Sequence, residues 1–291
     1  GQGWSRPAAE RDFLPQIARE LKGRVGFEDA HLSVRQRRKL GEAVGEGVEL
    51  VPAGDLVEEL RAVKDADEIE RIAAAAELAD EVYRWAIERG LAGRSEIEVA
   101  RAAVARMREL GAEPSFPPIV AAGPNGALPH AEPGEREIGS GELVVFDIGA
   151  LLDGYCSDCT RTFATGELGE EALEAYELVR SAQERALEAV RPGASGVEAD
   201  AASREPIAAA GHGEHYGHGL GHGVGLEVHE APRLSPSSTD ELRAGNVVTV
   251  EPGIYLAGRF GIRIEDLVVV EADGLRNLSG LPKELTVAPP K

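Results

Sequence analysis

Gly141-Glu142-Leu143-Val144-Val145-Phe146-Asp147-Ile148-Gly149 is echoed further along the chain by Gly245-Asn246-Val247-Val248-Thr249-Val250-Glu251-Pro252-Gly253. Each stretch has a turn glycine, a β-type run, an acid at the same offset, and then x-Gly. The match aligns Asp147 with Glu251 at two strand ends, which predicts a pseudo-twofold site with carboxylates facing each other. Outward from this repeat, each β region is preceded by two helical stretches. Glu68–Arg89 carries Ile69, Ile72, Leu78, Val82 and Trp85 at helical spacing. Ser95 with Glu98 forms a capping box for a second helix running to about Leu110. Gly111 and Pro117-Pro118 then break the pattern. The later pair is Glu170–Val190 and roughly Gly196–Ala210, with a kink or interruption expected at Pro206. Hairpins follow each pair: one around Gly149 and Gly154, and one built from Val247–Val250, Ile262–Glu265 and Leu267–Val270. The order α-α-β-β, twice over, predicts an α+β domain rather than a doubly wound sheet.

The 291 residues favour two domains or one large one. Acidic residues outnumber basic ones 51 to 31, for a formal charge of −20. That surface repels phosphate and argues against nucleic acid or an anionic membrane as partner. No apolar run approaches the roughly 18 residues of a membrane span. The two cysteines, Cys156 and Cys159, write no disulfide scaffold. With no signal or transit pattern in the opening residues, they predict a reducing, cytoplasmic setting. Gly1-Gln2-Gly3-Trp4 lacks an initiator Met and reads as part of a longer chain. Residues 1–64 combine a helical stretch around Phe13–Leu21 with short apolar runs at Val25–Phe27 and Val48–Val51, too little for an independent core.

Asp147 follows Val144-Val145-Phe146, where an unpaired charge is costly to bury, so it needs a cation. Asp158 shares its hairpin, between Cys156 and Cys159. An offset of three along a strand places the two thiols on opposite faces, which speaks for packing rather than a redox pair. Five of the seven histidines fall between His212 and His229. A surface tract that picks up metal adventitiously is the bland explanation. The interleaved glycines argue instead that backbone passes close to a site. A helix-borne His-Glu-x-x-His pattern is absent, which excludes a zincin. Glu251 and Glu265 mirror the two aspartates. Alternation of Ile262 and Ile264 with Arg263 and Glu265 puts both charges on one face. Four carboxylates with imidazole form an oxygen-rich, thiolate-free set suited to Mn, Co or Fe rather than structural zinc. Two adjacent cations would deprotonate a water, which is hydrolytic chemistry.

The segments Asp147-Ile148-Gly149, Ser157-Asp158-Cys159-Thr160-Arg161-Thr162-Phe163, His218 through Leu226, Glu251-Pro252-Gly253-Ile254-Tyr255 and Arg263-Ile264-Glu265-Asp266 carry a family resemblance. Over residues 65–291 the chain resembles the pita-bread metallopeptidases, specifically the Xaa-Pro dipeptidase (prolidase) and aminopeptidase P group. The resemblance implies a pita-bread fold around two divalent metal ions, Mn first, with Co, Fe or Zn as alternatives. It implies Asp147, Asp158, His222, Glu251 and Glu265 as ligands. Asp158 and Glu265 would serve both cations, Asp147 one, and His222 with Glu251 the other. Glu251 would also accept the proton of the attacking water.

By the same resemblance, His130 contacts substrate or shuttles protons, His229 stabilises the oxyanion, and His218 lines the leaving-group proline pocket. Arg263 steadies a ligand carboxylate, and Arg233 offers a fork for the free carboxylate of a dipeptide. Short proline-containing peptides are the implied substrates and a homodimer the implied assembly. Residues 1–64 resemble only the closing part of the amino-terminal domain that prolidases carry. Cleavage of the Xaa-Pro bond as a dipeptidase is therefore expected. Aminopeptidase P and methionine aminopeptidase are the alternatives on the same fold, along with creatinase-like amidohydrolysis and a non-catalytic peptide-binding module.

Overall fold

Few of the apolar residues at the start of the chain are buried, and its local structure reflects this. The computed structural model describes residues 13–288, and these fall into two units that meet at Leu60 and Arg61. In the first, helix α1 (Leu14–Glu20), strand β1 (Gly23–Phe27), helix α2 (Val34–Ala43) and strand β2 (Val48–Pro52) alternate. Strands β1 and β2 pair in parallel, and Ser33 and Gln36 close a capping box on α2. Only Leu14, Ala18 and Leu40 are buried among the described residues of this unit. Helix α3 (Leu56–Ala62) carries the chain into the second unit.

There the chain runs through α4 (Ala66–Glu88), α5 (Glu96–Glu109), β3 (Glu113–Pro114), β4 (Ile119–Ala122), β5 (Leu143–Ile148), β6 (Ala150–Leu152), β7 (Tyr155–Cys156) and β8 (Cys159–Ala164). Capping boxes start both helices: Asp65 with Glu68, and Ser95 with Glu98. β5 is central in the antiparallel order β4-β5-β8, and every one of its residues is buried. A second set follows: α6 (Glu170–Ala189), α7 (Gly196–Ile207), β9 (Gly221–Gly223), β10 (Glu230–Leu234), β11 (Val247–Val250), β12 (Gly253–Leu256), β13 (Phe260–Arg263), β14 (Asp266–Glu271) and β15 (Gly274–Asn277). Its sheet has the order β10-β9-β11-β14-β15, with β12 and β13 as a separate hairpin.

The two sets are built alike. The capping serine of α5 bridges Glu137 (Ser95↔Glu137), and that of α7 bridges Glu241 (Ser195↔Glu241). Gly141 (φ 77°) and Gly245 (φ 92°) then turn the chain into β5 and β11, a backbone region that favours glycine. The predicted α+β organisation with a pseudo-twofold repeat is thus realised. Pro206 departs from expectation: α7 runs through it to Ile207. The irregularity comes in the next turn, Ala208–His212, which is π-helical and contains Gly211 at φ 89°. The thiols are also separated more fully than one strand would allow. Cys156 ends β7 and Cys159 opens β8; both are free, and they pack into different apolar clusters.

Two buried polar side chains lock the first sheet. The Tyr83 hydroxyl, projecting from α4, lies 2.8 Å from the Phe146 carbonyl oxygen and 2.6 Å from that of Cys159, and accepts from the Ile148 N–H at 3.2 Å. It staples β5 to β8 from the helix side. Arg161 of β8 is 2% exposed. It donates to the carbonyls of Leu281 (2.7 Å) and Pro282 (3.0 Å), to Asp266 Oδ1 (2.7 Å) and to the Glu265 carbonyl. Burial alone would raise the Asp266 carboxyl, but Arg161 and Lys283 hold it below the usual range. Tyr83→Phe strands the staple's partners without making a cavity. Urea unfolding is expected to show a loss of about 1–3 kcal/mol.

Candidate functional site

Strand ends deliver the acids. Asp147 lies in β5, Asp158 in the turn between β7 and β8, and Glu265 between β13 and β14. One oxygen from each lies within 4.8 Å of the others. Glu251 follows β11, and His222 is the middle residue of β9. Close backbone packing positions that histidine: a Cβ at Gly221 would overlap the Thr249 carbonyl oxygen, and one at Gly223 that of Ala231. His222 Nε2 is 3.3 Å from Glu251 Oε1 and 3.6 Å from Asp158 Oδ2. Its Nδ1 lies 3.1 Å from the Gly223 carbonyl oxygen, which fixes the ring with Nε2 turned toward the acids.

The electrostatics of this cluster are unfavourable without a cation. Burial, then the neighbouring carboxylates, raises Asp158 and Glu265 well above ordinary values. Burial also raises Asp147, although Arg263 opposes it. Glu251 is the exception: burial would lift it too, but His222, His218 and Arg263 hold it at about 2. Arg263 Nη2 donates to Asp147 Oδ2 at 2.7 Å, its Nε to Thr160 Oγ1 at 2.9 Å, and its Nη1 to the Tyr255 hydroxyl at 2.8 Å. Thr160 Oγ1 in turn donates to Glu265 Oε2 at 2.7 Å. Asp147 Oδ1 and Glu265 Oε1 are buried with no hydrogen-bond partner among the described residues. Two orphaned carboxylate oxygens in a cluster of acids, with one imidazole beside them, fit hard or borderline divalent cations.

A cavity of about 640 Å³ opens onto this cluster. All ten residues singled out in the sequence line it: His130, Asp147, Asp158, His218, His222, His229, Arg233, Glu251, Arg263 and Glu265. Phe116, Pro117, Pro118 and Ile119 add an apolar wall. His218 Nε2 lies 2.8 Å from the Tyr255 hydroxyl. The His229 ring meets the His222 ring edge-on at 4.3 Å, and burial together with His222 and Arg233 pushes its pKa down to about 4. A neutral His229 keeps one N–H to donate. Arg233 is exposed and sits opposite His222 in the β9–β10 register; its guanidinium makes no ion pair with a described residue. His130 is exposed at the rim.

Three polar residues of the site escaped the sequence reading. Thr160 bridges Arg263 and Glu265, Tyr255 bridges Arg263 and His218, and Thr249 Oγ1 lies 3.1 Å from Glu251 Oε1. Thr160 and Tyr255 stand inside quoted motifs, and their alternation with Arg161 and Ile254 was the available signal. The Phe116–Ile119 wall was read only as a helix breaker.

The profile of Metallopeptidase family M24 matches residues 70–272, which contain the whole acid cluster. The chain belongs to metallopeptidase family M24. Residues 3–63 match the profile of the Creatinase/Prolidase N-terminal domain. The Xaa-Pro dipeptidase of Pyrococcus furiosus is 44% identical over 232 residues, 79% of this chain and 67% of that protein. Among solved structures, the Xaa-Pro dipeptidase from Bacillus anthracis superposes with a TM-score of 0.91 at 40% identity, over 94% of this chain and 78% of that one. The X-Pro aminopeptidase from Thermotoga maritima MSB8 gives 0.90 at 37% identity, over 97% and 81%. These M24 likenesses establish the pita-bread architecture.

Just behind His229, Glu230 is buried between Lys64 Nζ (3.0 Å), Arg61 and the Glu227 N–H (3.0 Å). Burial would raise its carboxyl, but Lys64 and Arg61 hold it below the ordinary value. Its stabilising contribution is therefore present above the unfolded carboxyl pKa and fades as pH falls through the native one. Lys64→Met leaves Arg61 as the cation on Glu230 and is expected to cost about 1–3 kcal/mol in urea unfolding at pH 7.5, and less below about pH 4, where the acid protonates. In metal-stripped protein, Asp158→Asn removes a repelled buried charge. Thermal melts should show its midpoint raised by at least about 2 °C, whereas added Mn²⁺ should raise the midpoint of the unsubstituted protein and not that of the variant.

Proposed function

We propose that this M24 enzyme hydrolyses the Xaa-Pro peptide bond, acting first as an Xaa-Pro dipeptidase, with two divalent cations of which manganese is the foremost. The carrying observation is the pair of orphaned oxygens on Asp147 and Glu265, set in a buried acid cluster at the floor of a cavity with a proline-rich apolar wall. Asp147, Asp158, His222, Glu251 and Glu265 would hold the cations. When bound, these supply an acidified water and polarisation of the scissile carbonyl.

The chain's own groups do the rest. Glu251, kept ionised by His222, His218 and Arg263, accepts a proton from the attacking water and returns it to the leaving imide nitrogen. His229, neutral at pH 7, donates its N–H to the oxygen that becomes negative in the tetrahedral state. His218, oriented by Tyr255, borders the space for the proline ring, and His130 contacts substrate or relays protons at the rim. Arg263 holds Asp147 in place and Thr160 holds Glu265. Arg233, exposed at the cavity edge, meets the free carboxylate of a dipeptide.

Residues 1–64 are proposed to belong to an amino-terminal domain and residues 65–291 to be the catalytic domain; the profile match over 3–63 supports the first. Two buried free thiols suit a reducing, cytoplasmic setting. The likeness to the Thermotoga maritima aminopeptidase favours one second reading, cleavage of longer Xaa-Pro peptides. The test is hydrolysis by metal-stripped protein with and without Mn²⁺, comparing Ala-Pro, Ala-Pro-Ala and Met-Ala. Metal-dependent cleavage of Ala-Pro is expected, with Arg233→Ala raising KM for Ala-Pro about tenfold or more. Preference for the tripeptide would move the assignment to an aminopeptidase. Cleavage of Met-Ala alone would sink the proline-directed reading.

A further inference from the structure

Two of the five clustered histidines, His212 and His215, do not line the cavity. His212 ends the π-helical turn after α7, and Gly213–His215 form a 3₁₀ turn directly behind it. His212 caps that turn, and the two imidazoles meet across it, with ring centroids 5.3 Å apart and their Nδ1 atoms 3.1 Å apart. Among the described residues, neither ring has another hydrogen-bond partner. Both are half-buried, so solvent reaches them. At a metal–nitrogen distance of about 2.0–2.1 Å, nitrogens 3.1 Å apart subtend roughly 95–100° at a shared ion. That angle lies between the square-planar and tetrahedral values.

We propose that His212 and His215 form a second metal site, separate from the carboxylate cluster, that takes one late first-row divalent cation such as Cu²⁺ through both Nδ1 atoms, with water completing the shell. The donor chemistry separates the two sites: imidazole pairs prefer Cu²⁺, Ni²⁺ and Zn²⁺, whereas carboxylate oxygens accept Mn²⁺. An ion here would brace the turn from which the chain runs to Tyr216 and His218. The Tyr216 ring stands edge-on to His218 at 5.3 Å, so the brace would lie one aromatic contact from the cavity.

The experiment titrates manganese-loaded protein with Cu²⁺, measuring bound copper and released manganese together and recording the copper electron paramagnetic resonance spectrum. One equivalent of copper beyond any manganese released is expected, with hyperfine coupling to two nitrogens. His212→Gln and His215→Gln should each weaken this equivalent at least tenfold while keeping the manganese content and the thermal midpoint of the unsubstituted protein. Copper uptake that only matches manganese release would overturn the site, as would an extra equivalent unchanged in both variants. The readout does not depend on Xaa-Pro hydrolysis, so either reading can fail without the other.

Discussion

Bringing Asp147, Asp158 and Glu265 within one ligand shell, under cover of the sheets, is the constraint around which the second unit is organised. Carboxylates at that spacing oppose one another's ionisation, and burial removes the water that would screen them. Arg263 is the cation that the chain itself supplies, and its reach defines the inner wall. It bonds to Asp147 from the first half of the repeat and to Tyr255 from the second. Through Thr160 its influence extends to Glu265. The remaining need, expressed in two unpartnered oxygens, would be met by ions from outside.

The repeat explains why such a cluster can be assembled at all. Equivalent serine caps, turn glycines and strands put an acid at the end of β5 and another after β11, so facing halves place acids against each other by construction. The halves differ in what surrounds those acids. The second contributes His222, which reaches both Glu251 and Asp158. The first contributes Tyr83, whose hydroxyl holds β5 and β8 in place. A symmetric scaffold thus carries an asymmetric set of side chains, with one wall for chemistry and another for positioning.

The parts legible in the sequence were those written in local spacing. Asp147 and Glu251 stood out because each closes an apolar run at the same offset from a glycine. The α5 helix was readable from the Ser95–Glu98 box. Tyr83 was not readable, because on a helical pattern it is simply one more core position until β5 and β8 are known to lie beneath it. The order β10-β9-β11 was equally hidden: β9 is three residues long and two of them are glycine, so periodicity has nothing to register. Pro206 was over-read, since it stands one residue before the end of α7 and the irregular turn begins only at Ala208. The histidines show the limit most plainly. Counting them marked a cluster, the family resemblance picked out His218, His222 and His229, which line the cavity, and geometry adds that His212 and His215 face each other.

The path of the chain also bears on its birth. Asp147 and Asp158 leave the ribosome well before Arg263, the side chain that compensates the first of them. The grip of Arg161 on the Leu281 and Pro282 carbonyls waits until the chain has been made past residue 282. Until then, sealing the first sheet would bury acids without a counter-charge. The first sheet thus takes its counter-charge and its carbonyl partners from residues that lie 116 to 121 positions further along the chain.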